Sequence, residues 1–325
     1  MTFTGDGMDK IGVLLLNMGG PDSLKAVRPF LYNLFKDPYI ANFGIIQKPM
    51  AWLISTLRSG KIEKAYKKIG GKSPLKEITL KQAELFEREL GKEFSVKVGM
   101  NYWYPFISQS LKEFEKEGVK RIIALSLYPQ YCRATSGSAI EAFKRYAEGK
   151  FEYSIIGSWC EHPLFIDAWC ENIKEAFNAH GEGFVLFSAH GIPKSLHESG
   201  DPYVAEVEKT VHAIVKNLSL SHWRISYQSR TGPVKWVEPS TEKALHDLSR
   251  EGFDKIFVVP VSFVSDHIET LFEIDIVYKK MASSLGLNLL RVQSLNTSKK
   301  FIDALKAIVL ESINGGKHAL WRERN

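Results

Sequence analysis

Val13-Leu14-Leu15-Leu16-Asn17-Met18-Gly19-Gly20-Pro21-Asp22-Ser23-Leu24 recurs in altered form as Val185-Leu186-Phe187-Ser188-Ala189-His190-Gly191-Ile192-Pro193-Lys194-Ser195-Leu196. Each copy reads as an apolar strand run, a turn marked by Gly and Pro, and a Ser placed to cap a following helix. The copies diverge at the strand end, with Met18 in the first and His190 in the second. A duplicated fold with a ligating side chain in only one half predicts a cleft with two unlike walls.

The repeat extends outward. Arg121 to Pro129 aligns with Lys255 to Phe263, and Phe94 to Met100 and Trp223 to Gln228 supply two further strands. Continuous apolar runs alternating with helical stretches such as Ile107 to Lys116 predict parallel strands covered on both faces. The expected class is α/β, with two similar doubly wound, Rossmann-like domains of parallel sheet and a cleft between them. Ligands are expected at the carboxyl ends of the strands. The domains are expected at 10–165 and 166–297, with a helix over 298–320 packing back on the first. The first half is longer by about forty residues, too many for an ordinary connection. This insertion, at about 25–80, carries Phe30, Leu31, Leu34, Phe35, Ile45, Ile46, Trp52, Leu53 and Leu57, then a basic stretch from Arg58 to Lys76. Two readings stand: amphipathic helices packed on the core, or an apolar lip over the cleft that touches a membrane surface.

A chain of 325 residues with a net charge of +6 has room for two ordinary cores. Lys and Arg are scattered and no nucleic-acid motif accompanies them, so no nucleic-acid partner is expected. The three cysteines, Cys132, Cys160 and Cys170, lack C-x-x-C spacing. They fit a reducing compartment and fall short of the four thiolates of an iron–sulfur cluster. The first strand is expected to begin within about a dozen residues, so no cleaved leader is expected. No apolar run approaches the ~20 residues of a membrane span.

His190 at a strand end is by default a structural residue, but strand ends are where parallel sheets bind ligands. Gly191 beside it would leave the imidazole open. After the last strong strand comes Ser265-Asp266-His267-Ile268-Glu269-Thr270-Leu271-Phe272-Glu273-Ile274-Asp275. Asp266 and Glu269 have the spacing of a capping box. Glu269 and Glu273, four apart, would stack on one helix face, where like charges are unfavourable. A cation path or a proton relay explains so many titratable groups better than a cap does. His190 and Glu269 together suit a divalent first-row metal. They are too few for a closed structural site, which takes four ligands, and they could equally remove protons from a substrate. Gly70-Gly71-Lys72-Ser73 lacks the first glycine of a P-loop.

Several segments, in order, resemble ferrochelatases: 14–21, 128–131, Leu186 to Pro193 with Ser199 to Tyr203, Gln228 to Pro233, and Ser265 to Thr270. The resemblance spans about Ile11 to Asn296. It implies a chelatase-like fold and the insertion of Fe2+, as substrate, into protoporphyrin IX to form haem, with no tightly bound cofactor. It implies that His190 and Glu269 handle metal and pyrrole protons, and that Asp266, His267 and Glu273 lie on a proton or metal path. Met18, Arg58, Tyr66, Tyr128, Trp236 and Phe263 match residues lining the macrocycle, with Arg58 a partner for a propionate. The insertion matches an apolar lip, implying a cytoplasmic protein peripheral on the inner face of the cell membrane. The cluster-binding cysteines of animal members have no counterpart, so no iron–sulfur cluster is expected. The full lip fits protoporphyrin better than the more polar coproporphyrin III. A non-catalytic tetrapyrrole carrier, and a chelatase for coproporphyrin III or for cobalt or nickel, are the rival readings.

Overall fold

In the computed structural model, which describes residues 10–315, two four-stranded parallel sheets repeat one topology. The first is built from β1 (Ile11–Asn17), β2 (Phe94–Met100), β3 (Arg121–Ser126) and β4 (Glu152–Ile156), ordered β2-β1-β3-β4. The second is built from β5 (Phe184–His190), β6 (Trp223–Gln228), β7 (Lys255–Val259) and β8 (Asn288–Arg291), ordered β6-β5-β7-β8. The two halves of the quoted repeat are therefore the second strand of each sheet. In an open parallel sheet that strand's carboxyl end opens onto the ligand crevice.

The helices follow in chain order: α1 (Val27–Phe35), α2 (Gln47–Lys68), α3 (Leu75–Leu90), α4 (Ile107–Lys116), α5 (Ser138–Ala147) and α6 (Pro163–His180). Then come α7 (Lys194–Glu198), α8 (Tyr203–Leu218), α9 (Thr241–Arg250), a π-helical segment Glu269–Tyr278, α10 (Lys279–Ser284) and α11 (Lys299–Ile313). One continuous core joins the inner faces of both sheets through α3, α6, α8 and α11, with Trp159, Phe165, Trp169 and Phe301 buried at its centre. Each such Phe contributes about 2–3 kcal/mol by leaving water. The outer faces are covered separately, by α4 and α5 on the first sheet and by α9, α10 and the π-helix on the second. α11 packs against α3 and α6. Of the expected helix over 298–320, the part beyond 315 lies outside the described residues.

The structure corrects several expectations. The strand expected over Lys255 to Phe263 stops at Val259, because Pro260 has no N–H to continue the ladder. The edge strands β4 and β8 are additional; only five and four residues long, they hold no long apolar run. Ser23 precedes a short 3-10 turn without capping it, and Ser195 lies inside α7, which starts after Pro193. The insertion divides between its two readings. Phe30 and Leu31 of α1 are buried, whereas Ile45, Ile46, Trp52, Leu53 and Leu57 are exposed. No helix among the described residues is long and apolar enough to cross a membrane.

Candidate active site

His190 is the last residue of β5, and its backbone N–H donates to Ser262 Oγ at 2.9 Å. Its Nδ1 lies 2.6 Å from the Gly191 carbonyl oxygen. A carbonyl only accepts, so Nδ1 carries a hydrogen and Nε2 is the working nitrogen. Nε2 faces Glu269 Oε1 at 3.2 Å, and the imidazole is 38% exposed. Gly191 is required by close approach: a Cβ there would lie 2.8 Å from the Gln228 carbonyl oxygen.

Glu269 begins the π-helix and is held from both sides. His267 Nε2 lies 2.9 Å from its second oxygen, Oε2, while Phe263 packs its ring against both imidazoles. The capping box that the Asp266–Glu269 spacing allows does not form. The Asp266 carboxylate instead accepts from Arg291 Nη1, Ser294 Oγ, Asn296 Nδ2 and Thr270 Oγ1, each at 2.9 Å. Arg291 also pairs with Asp275 at 2.8 Å. Asp266 is thus anchored at the foot of the π-helix, behind His267 and Glu269. The helix is π rather than α, a form that is rare and concentrates at functional sites. Glu273, one turn on, accepts from the Ser229 N–H at 2.9 Å and from Tyr278 Oη at 2.8 Å, and Ser229 Oγ donates to it as well. That grip holds Ser229 at φ 64, in the left-handed region.

Burial opposes charge on His190, yet the Glu269 carboxylate and the Gly191 carbonyl raise its pKa from 6.5 to about 9. Burial likewise disfavours the Glu269 carboxylate, but His190 and His267 outweigh it and hold the acid far below its ordinary range. The pair is an imidazolium–carboxylate at neutral pH. Glu273 behaves oppositely: burial, reinforced by the Glu269 charge, raises its pKa. For Asp266, Arg291 and the amide and hydroxyl donors overcome burial and lower the pKa.

The facing wall comes from the first half. Met18 follows directly on β1 and packs against the buried cluster that holds Tyr66 and Tyr102. Ile268, next to Glu269, packs on the same cluster, so the two walls meet there. Tyr66 and Tyr128 are buried deeply enough to raise their pKa values, and both feel the Glu269 charge. Arg58 on α2 donates to Thr231 Oγ1 of the second half at 3.0 Å and lies over the Phe35 ring. Trp236 lies against Gly191 and bridges to Pro193. The structure therefore gathers His190, Glu269, His267, Phe263 and Glu273 on one wall and Met18, Tyr66 and Tyr128 on the other. Arg58 and Trp236 are each half-buried.

Among the described residues no three or more His, Cys, Asp and Glu side chains gather as a metal site. Sequence reasoning missed Ser262, Gln228, Tyr278, Arg291 and Asn296. Gln228 opened one of the quoted segments, and Arg291 left a signal as a lone cation closing the apolar strand β8 near an acidic segment.

The family model for ferrochelatase matches residues 10–313. The ferrochelatase of Gloeothece citriformis (strain PCC 7424) is 44% identical over 322 residues, covering 94% of this chain and 83% of that protein. That of Aquifex aeolicus (strain VF5) is 44% identical over 309 residues, covering 94% of this chain and all of the relative, 100%. Among solved structures, SirB from Bacillus subtilis with Fe3+ is similar in fold, with a TM-score of 0.56 at 12% identity over 93% of this chain and 95% of SirB. A second SirB structure, a sirohydrochlorin chelatase from Bacillus subtilis subspecies spizizenii in complex with cobalt, gives a TM-score of 0.57 at 12% identity over 93% of this chain and 94% of that one. A duplicated parallel sheet, an imidazole–carboxylate pair at one strand end and a match over nearly every described residue agree: the chain belongs to the ferrochelatase family.

Proposed function

We propose that the protein inserts Fe2+ into protoporphyrin IX, releasing two protons and forming protohaem, the last step of haem synthesis. Membership of the family makes the chain a metal chelatase of haem biosynthesis; the identity of the porphyrin is our reading. The observation that carries it is the His190–Glu269 pair, at 3.2 Å, with Nδ1 tied to Gly191 so that Nε2 faces Glu269.

A free-base porphyrin carries two N–H protons where the metal must go. Neutral His190 is an unusually strong base for an imidazole, because Glu269 stabilises the imidazolium that forms. His190, in the small fraction that is neutral at physiological pH, therefore takes each pyrrole proton in turn at Nε2 and passes it on before the next. The same nitrogen, once deprotonated, is a ligand for Fe2+. An imidazolium repels the cation, so proton departure precedes or accompanies metal contact. Glu269 Oε2 touches His267, and Glu273 lies one turn along the π-helix, giving an onward path for protons or iron. Asp266 supports that path by anchoring it. Met18 offers an uncharged wall opposite, and Tyr66, Tyr128, Phe263 and Trp236 offer rings to the macrocycle. A propionate would take the place of Thr231 on Arg58. The exposed Ile45, Ile46, Trp52, Leu53 and Leu57 suit an apolar lip resting on the inner face of the cell membrane of a cytoplasmic, peripheral protein.

The test is anaerobic mixing of the protein with protoporphyrin IX and Fe2+, followed by absorbance. The haem spectrum is expected. Porphyrin bound but unconverted makes the protein a carrier, and faster conversion of coproporphyrin III, or of cobalt or nickel, reassigns the substrate.

A further inference from the structure

Thr79 and Gln82 lie three residues apart on α3, hence on one helix face, and neither has any exposed surface. Thr79 Oγ1 donates to the Leu75 carbonyl at 2.7 Å and accepts from Asn17 Nδ2 at 3.1 Å. Asn17 Oδ1 in turn accepts from the Met18 N–H at 2.8 Å. Ser73, just ahead of α3, adds a second hold: its N–H donates to the Pro21 carbonyl at 2.8 Å, and a Cβ on Gly20 would lie 2.6 Å from its Oγ. The N-terminal part of α3 thus fixes the Met18 wall.

Gln82 reaches the other wall. Its Nε2 donates to Ser265 Oγ at 2.9 Å and to the Asn296 carbonyl at 2.7 Å. Asn296 stands at φ 44 and grips Asp266 twice, accepting from its N–H at 2.8 Å and donating to its carboxylate at 2.9 Å. Asp266 is the foot of the segment that carries His267 and Glu269. Gln82 Oε1 is buried without a partner among the described residues. An unmet buried acceptor opposes folding. The presence of Gln is explained by what its donors hold.

We propose that Thr79 and Gln82 are positioning residues acting as a two-point brace, which sets the gap between the Met18 wall and the Glu269 wall. This rests on the preceding reading only in taking those walls as the two sides of the substrate. A gap fixed at two points is released when either is lost.

The test uses the full chain carrying Thr79→Val, Gln82→Leu or both, with 13C-methyl labels on Met and Ile. Met18 and Ile274, the latter buried on the π-helix away from the Met18 cluster, report the two walls, their signals assigned through Met18→Leu and Ile274→Val. The brace predicts crossed responses: Thr79→Val moves the Ile274 methyl, and Gln82→Leu moves the Met18 methyl. It also predicts that kcat/KM for metallation falls about tenfold or more in each single variant and no further in the double. Each variant moving only its own wall, or losses that multiply in the double, would overturn it. Should Gln82→Leu fail to fold, Ser265→Ala removes one of the same anchors from the far side, and a Met18 methyl unmoved by it counts against the brace. If the parent protein makes no haem, the proposed function falls while the methyl readout still decides the brace.

Discussion

Replacing Glu269 with Gln keeps the size of the side chain and removes the charge that faces His190 Nε2 at 3.2 Å. In the intact protein that charge, with smaller help from Gly191 and Glu273, lifts the imidazole against burial from 6.5 to about 9. Without it burial prevails, and the pKa returns to 6.5 or below. At pH 7.5 the neutral fraction of His190 then rises from about 3% to about 90%, a change of roughly thirtyfold. The assay is an NMR titration of 13C-labelled histidine, with the His190 signal assigned by its loss in His190→Gln. A His190 midpoint within about half a pH unit of the wild type in Glu269→Gln would refute the ion-pair account. The same pair makes stability depend on pH. His190, raised on folding, contributes fully below 6.5 and loses its contribution as pH climbs through about 9. Glu269, lowered on folding, contributes above 4.5 and loses its contribution as pH falls through its depressed value. The full effect therefore lies between 4.5 and 6.5. With the imidazole more than a third exposed, solvent screening limits it to about 1 kcal/mol.

Two further substitutions test the supports of the site. Gly191→Ala forces a Cβ to 2.8 Å from the Gln228 carbonyl oxygen, so the loop carrying the Nδ1 acceptor must shift. Metallation kcat is expected to fall by about tenfold to a hundredfold while the thermal transition stays cooperative; a kcat within a factor of two of wild type would show that Gly191 does not align the imidazole. Arg291→Met leaves Asp266 and Asp275 without their shared, largely buried cation. Urea denaturation at pH 7 is expected to show a loss of about 3 kcal/mol. Because Arg291 lowers the Asp266 pKa, the difference from wild type narrows as pH falls through that value. A difference that stays constant to pH 3 would contradict the pairing.

The parts of the fold carried by central strands were legible because such strands are apolar throughout. That is why the match of Val13 to Leu24 with Val185 to Leu196 located both wall-bearing strand ends. Of the four edge strands, β4 and β8 escaped because they are only five and four residues long and carry Glu152, Ser154 and Arg291, which leaves no apolar run to read. Glu269 and Glu273 were visible as acids four apart, but nothing in that spacing distinguishes a π-helix from an α-helix. Asp266 looked like a cap because its partners Arg291, Ser294 and Asn296 are distant in sequence. Thr79 and Gln82 belong to no motif and no repeat, so nothing in the sequence marks them. Periodicity marks the apolar face, and cannot show that two polar residues beside it are sealed between the halves of the molecule.

The most direct test of the central claim compares wild type with His190→Ala in anaerobic metallation of protoporphyrin IX by Fe2+. Porphyrin affinity is measured in parallel from fluorescence without metal. The account predicts that His190→Ala still binds porphyrin but forms haem at least a hundredfold more slowly, roughly the contribution of a general base. Near-wild-type haem formation by His190→Ala would contradict it.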